Sequence, residues 1–177
     1  MRIITGMLKG RDFTSPGSQK THPMGDRQKA AVFNILGDLT GLTVFDAYGG
    51  TGALAFESVS RGAASAFIIE LDKNAYRAIA ENIEKLDIDE HVQAIQGNCI
   101  GWSKRNPDVQ FDIVFADPPY DAVLLRDIEQ LGTHVRPGGM LVLSWPIHLG
   151  AEPIDGFTIL RDRTYARARL VFYRRIS

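Results

Sequence analysis

Thr43-Val44-Phe45-Asp46-Ala47-Tyr48-Gly49-Gly50-Thr51-Gly52 is an apolar run that ends on an acid and then on a glycine-rich turn. The run reads as a buried strand, Thr43–Asp46, and the turn as the lead into a helix, about Ala53–Arg61. Strand and helix then alternate downstream. Strand Ala66–Glu70 precedes helix Lys73–Lys85, which carries Ala75, Ile79, Ile83 and Leu86 at helical spacing. Strand His91–Gln96 precedes a short helix, Ile100–Arg105. Strand Phe111–Ala116 precedes a helix from about Ala122 to Leu131, and strand Met140–Trp145 follows Arg136-Pro-Gly-Gly. The last pair, Thr158–Arg163 and Ala168–Arg174, reads as antiparallel strands around Tyr165. Such alternation predicts an α/β fold, a doubly wound sheet with right-handed crossovers.

Upstream, Arg2–Thr5 and Arg11–Thr14, around Gly6 and Gly10, suit a small hairpin. Ser15–Lys20 reads as loop. Asp26 is placed to N-cap a helix running to about Leu39, with Val32, Phe33, Leu36 and Leu39 on one stripe. Residues 1–40 are expected to be an N-terminal extension and residues 41–177 the main domain.

At 177 residues the chain is long enough for a sizeable core. A single cysteine, Cys99, excludes an internal disulfide framework and suits a reducing cytoplasm. There is no signal-peptide pattern and no apolar stretch of membrane-spanning length. The formal net charge is −1, but unevenly spread. Residues 1–36 carry six basic side chains against two acidic ones, and residues 161–177 carry six arginines against Asp162. Basic ends around an acidic middle suggest a polyanion held by the ends. Cys99, the four histidines and both tryptophans show no ligand spacing, so no metal is expected.

The strand Phe111–Ala116 ends in Asp117-Pro118-Pro119-Tyr120, at the sheet edge where open α/β folds keep their ligands. Each proline fixes φ and lacks an N–H, and the residue before a proline is held extended. The result is a stiff rim of carbonyls beside one carboxylate and one aromatic face. It suits a planar group that carries an NH2. The Asp117 side chain and the Pro118 carbonyl accept its two hydrogens, and Tyr120 stacks on the ring. A turn after a strand would use the same residue types.

In the first turn, Gly50-x-Gly52-x-x-Ala55 formally fits a dinucleotide fingerprint, with Glu70 at about the right distance. Asp46 argues against it, because a carboxylate at the strand end would face a pyrophosphate. S-adenosylmethionine has no phosphate, and its ammonium and sulfonium both favour an acid nearby. The expected cofactor site is Asp46, Tyr48, Gly50, Thr51, Gly52, Glu70 and Asn98. Glu70 is placed for the ribose hydroxyls and Asn98 for the adenine edge.

Taken together, these segments resemble the class I methyltransferases that act on exocyclic amines. More closely they resemble the RsmD family, guanine-N2 methyltransferases of small-subunit (16S) ribosomal RNA. The likeness runs over nearly the whole chain. It includes Met1 to Arg11, His22-Pro23-Met24-Gly25-Asp26-Arg27, Asp46 to Gly52, Ser60-Arg61-Gly62-Ala63, Glu70-Leu-Asp72, Asp117 to Tyr120 and the Tyr165 hairpin. The family usually has Arg-Pro-Thr where this chain has His22-Pro23-Met24. The resemblance implies a seven-stranded sheet with an antiparallel last strand, and S-adenosylmethionine as donor. It also implies catalysis at Asp117, Pro118, Pro119 and Tyr120, with Arg11, Pro23 and Arg27 toward a partly assembled small subunit. An adenine-N6 methyltransferase, a nicotinamide-dependent enzyme and a non-catalytic RNA-binding protein are the alternatives.

Overall fold

The computed structural model describes residues 1–17, 24–120, 124–165 and 168–176. In chain order the elements are α1 (Asp26–Leu36), β1 (Thr43–Asp46), α2 (Ala53–Ser60), β2 (Ser65–Glu70), α3 (Lys73–Leu86) and β3 (Val92–Gln96), followed by α4 (Cys99–Arg105), β4 (Phe111–Ala116), α5 (Leu125–Gly132), β5 (Val135–Pro146), β6 (Phe157–Tyr165) and β7 (Ala168–Arg175). The strands form one seven-stranded sheet in the order β3-β2-β1-β4-β5-β7-β6. β2 runs parallel to β1 and β3, and β4 runs parallel to β5. β7 is antiparallel to β5 and β6. This is the mixed α/β sheet that the alternation and the resemblance predict. The chain divides into two compact units, Met1–Cys99 and Ile100–Ser177.

In the first unit the strands carry consecutive buried residues, Val44-Phe45-Asp46 and Ile68-Ile69, as strands covered on both faces must. α3 is amphipathic, with Ala75, Ala78, Ile79, Asn82, Ile83 and Leu86 buried. The Asp72 carboxylate caps it by accepting from the Asn74 and Ala75 N–H groups. α1 is shorter than the stripe suggests. It stops at Leu36 because Gly37 takes φ +78°, while Leu39 is still buried beyond the helix end. Its N-cap is Gly25 rather than Asp26, and the Gln28 side chain accepts the Gly25 N–H at 3.1 Å.

The opening hairpin reduces to a single bridge, Arg2↔Asp12. Long-range polar clamps hold this segment. Glu57, 2% exposed in α2, accepts the N–H groups of Ile4 and Thr5 at 2.8 and 3.0 Å. The Ser60 hydroxyl accepts from Leu8 N–H and donates to the Thr5 carbonyl. Asn82 pairs with both backbone groups of Thr14 at 2.8 Å. Gly6 sits so close that a Cβ there would lie 1.7 Å from the Ser60 carbonyl oxygen.

In the second unit, β5 is longer than the expected Met140–Trp145. Its pairing with β4 passes from Phe111↔Val135 to Ile113↔Met140, so Arg136-Pro-Gly-Gly is looped out of a continuing strand instead of preceding it. α5 begins at Leu125 among the described residues, and the expected start at Ala122 lies outside them. His134 is fully buried between Val109 and Ser103. Its Nδ1 is 2.6 Å from the Val109 carbonyl and its Nε2 2.6 Å from the Ser103 hydroxyl.

Candidate active site

The first unit gathers the expected cofactor residues at the carboxyl ends of three parallel strands. β1 ends on Asp46, which is 1% exposed. The turn after it is pressed onto β2. The Gly49 N–H donates to the Ile69 carbonyl at 2.9 Å, and a Cβ on Gly49 would meet Ile68 Cγ2 at 2.4 Å. Gly50 and Gly52 take φ of +54° and +77°, which a side chain would strain. Gly52 is the N-cap of α2. Thr51 is buried, and Tyr48 is half-buried.

Glu70 ties this turn to the next helix. Its Oε2 accepts the Gly50 N–H at 2.6 Å and its Oε1 accepts the Asp72 N–H at 2.7 Å. Burial pushes the Glu70 carboxyl above its ordinary range, and the backbone donors hold it partly down. The Gly97 N–H donates to the Glu70 carbonyl at 2.9 Å, which sets the exposed Asn98 just past the tip of β3. The donor set fits S-adenosylmethionine. Two carboxylates suit a group that carries cations and a ribose diol, and each Glu70 oxygen keeps a lone pair beyond its backbone bond.

In the second unit β4 delivers the rim. Its last four residues, Ile113 to Ala116, are buried. Asp117 follows half-buried, Pro118 is buried, and Pro119 and Tyr120 are exposed. Burial pushes the Asp117 carboxyl up, and a hydrogen bond from Ser144 opposes that. The Tyr120 phenol lies 2.8 Å from the Ser144 hydroxyl, and burial also raises its pKa. Ser144 had no role in the sequence reading. The available sign was its being the one polar residue in Met140-Leu-Val-Leu-Ser144-Trp145.

The expected substrate residues behave differently from one another. Arg11 donates to the Leu86 and Lys85 carbonyls at 2.7 and 2.8 Å, so its guanidinium caps the C-terminus of α3. Arg27 is exposed on α1. Pro23 lies outside the described residues. Among the described residues no three metal-ligating side chains are gathered, and no helix is long and apolar enough to cross a membrane.

A sequence model of the family described as "Conserved hypothetical protein 95" matches residues 1–174. The chain is 30% identical over 184 residues to the "Putative rRNA methyltransferase YlbH" of Bacillus subtilis, an alignment that covers 99% of each. It is 30% identical over 125 residues to the "Ribosomal RNA small subunit methyltransferase D" of Buchnera aphidicola, which covers 70% of this chain and 65% of that one. Among solved structures, a "Putative methyltransferase yhhF from Escherichia coli" superposes with a TM-score of 0.89 at 23% identity, covering 99% of this chain and 98% of the other. The chain therefore belongs to the RsmD family of S-adenosylmethionine-dependent methyltransferases.

Proposed function

We propose that the chain methylates the exocyclic N2 amine of a guanine in small-subunit ribosomal RNA. The observation that carries methylation of an amine is the rim, where a carboxylate and a proline-fixed carbonyl at the end of β4 stand beside an exposed aromatic ring, and the choice of guanine rests on the likeness to the RsmD family. S-adenosylmethionine, when bound, supplies an electrophilic methyl group on a sulfonium. Asp46 and Glu70 hold its cationic and ribose ends. Asp117 and the Pro118 carbonyl accept the two amine hydrogens, which turns the nitrogen lone pair out of ring conjugation. Tyr120 stacks on the base. Positioning of this kind supplies most of the rate enhancement. With the amine so oriented its lone pair would face that methyl group, and the proton that the nitrogen gives up on methylation would leave to Asp117 or water. The base has to leave its stack to reach such a rim.

The basic ends contribute unequally. Arg2 is paired with Asp12 at 3.0 Å, Arg169 with Asp162 at 2.6 Å, and Arg11 caps α3. Arg27 on α1, and Arg161 and Arg163 on β6, are exposed and have no ion pair among the described residues. These are the candidates for phosphate contact. An N-terminal segment clamped to α2 and α3 suits recognition of a shaped RNA–protein surface more than reading of a duplex sequence. The substrate is accordingly a partly assembled subunit in the cytoplasm.

The test is methylation of small-subunit rRNA, naked and in partly assembled particles, followed by digestion and mass spectrometry of the nucleosides. N2-methylguanosine, formed better on particles, is the expected product. N6-methyladenosine as the sole product rejects the guanine assignment, because a rim that reads an NH2 beside a ring serves both bases.

A further inference from the structure

We propose that Ser144 is a positioning residue for this reaction: its hydroxyl takes the Tyr120 phenol hydrogen and gives its own to Asp117, which fixes both rim groups for the incoming base. The inference rests on the function proposed above. Its geometry lies within the second unit. In the parallel pair of β4 and β5, Ala116 stands opposite Leu143. One residue further on, the same register brings Asp117 beside Ser144 on one face. Ser144 is 3% exposed, in a strand whose neighbours Leu143 and Trp145 are buried apolar residues. A buried hydroxyl in such a setting needs partners.

Tyr120 Oη and Ser144 Oγ are 2.8 Å apart, and Ser144 is hydrogen-bonded to the Asp117 carboxyl. An ionised carboxylate only accepts, so the single hydroxyl hydrogen of Ser144 goes to Asp117. Its lone pairs then take the phenol hydrogen. The direction Tyr120 to Ser144 to Asp117 follows from valence. Tyr120 keeps 40% of its surface exposed while its far end is pinned, so its ring is held at the rim with a face open for stacking. Asp117 is engaged by Ser144 through one hydrogen bond, which leaves its remaining lone pairs to accept from the amine.

A positioning role makes a specific pattern of outcomes. Ser144→Ala is expected to lower kcat on the order of tenfold to a hundredfold while KM for S-adenosylmethionine stays near wild type. Ser144→Thr, which keeps the hydroxyl, restores most of the rate. Tyr120→Phe, which keeps the ring and alters one exposed side chain, lowers kcat several-fold. A second readout needs no turnover. The titratable group that faces Asp117 among the described residues of its unit is Tyr120, with Ser144 the uncharged donor. Carbon-13 NMR of the Asp117 carboxyl should show its titration midpoint moving up in Ser144→Ala and returning in Ser144→Thr. Wild-type kcat in both Ser144→Ala and Tyr120→Phe, or an unmoved midpoint, overturns the proposal. If the wild-type protein makes no methylguanosine, the proposed function has failed. The NMR titration still decides whether Ser144 sets the state of Asp117.

Discussion

Glu70 holds the Gly50 N–H on one carboxylate oxygen at 2.6 Å and the Asp72 N–H on the other at 2.7 Å, so one acid at the tip of β2 fixes both the glycine turn and the start of α3. The charged form is the one that can accept four hydrogens, two from the backbone and two from a ribose diol. Glu70→Ala should therefore weaken S-adenosylmethionine binding by at least about tenfold, or ~1.4 kcal/mol, and Asp46→Ala should do the same. Burial raises the Glu70 carboxyl above its ordinary 4.5, so on acidification affinity should begin to fall at a pH above the usual glutamate range. Calorimetric titration across pH checks both. Unchanged affinity in Asp46→Ala would remove that residue from the site.

Asp117 separates chemistry from folding. Its carboxyl is raised by burial, so the native state gains little from ionising it. Asp117→Ala is expected to leave the thermal midpoint and cofactor affinity near wild type and to lower the methyl-transfer rate about a hundredfold or more. Unfolding of the variant, with no separable effect on rate, would make the rim a structural turn.

Arginines already held in ion pairs should differ from those without one among the described residues. Removing Arg161, Arg163 or Arg27 should each reduce the log–log salt slope of RNA binding by up to about one. Arg169→Ala, which loses the Asp162 pair and a bond to the Leu149 carbonyl, should mainly lower stability. Filter binding over a salt series, beside thermal melts, distinguishes the two groups. A salt-independent affinity would mean that the charge asymmetry is surface alone.

His134 makes stability depend on pH. With Nδ1–H donated to the Val109 carbonyl, Nε2 accepts from Ser103, so the native ring is neutral, and burial holds its pKa below the ordinary 6.5. The folded state binds this proton less readily than the unfolded chain. Its contribution is therefore complete above the unfolded pKa and is lost as pH falls through and below that value. Denaturant midpoints should drop between about pH 7.5 and pH 5.5, and drop less in His134→Gln. Equal slopes in the two proteins would remove His134 as the cause.

The strands were legible because each is a short apolar run bounded by polar or glycine residues. The acids that end β1 and β2 were legible because a carboxylate after such a run calls for a partner. Periodicity misjudged the end of α1, since Leu39 is buried on the same side as the helix stripe without being helical. Local pattern also could not reveal Glu57 and Asn82 as anchors, because their backbone partners lie 53 and 68 residues away. A glutamate and an asparagine inside helices look like solvated positions until the loop that docks on them is seen. Ser144 was hidden for a related reason. Its value lies in what β4 brings beside it, and a lone serine in a strand carries no mark of that.

The Asn82–Thr14 pairing bears on the order in which the molecule is made. Synthesis delivers Thr14 first, but the side chain that receives it emerges 68 residues later. The clamps from α2 and α3 close only once those helices have left the ribosome and formed. The Thr14 end of the opening segment thus waits until Asn82 has emerged, and a nascent chain stopped before α3 would hold Ile4, Thr5 and Leu8 on α2 but carry Thr14 undocked.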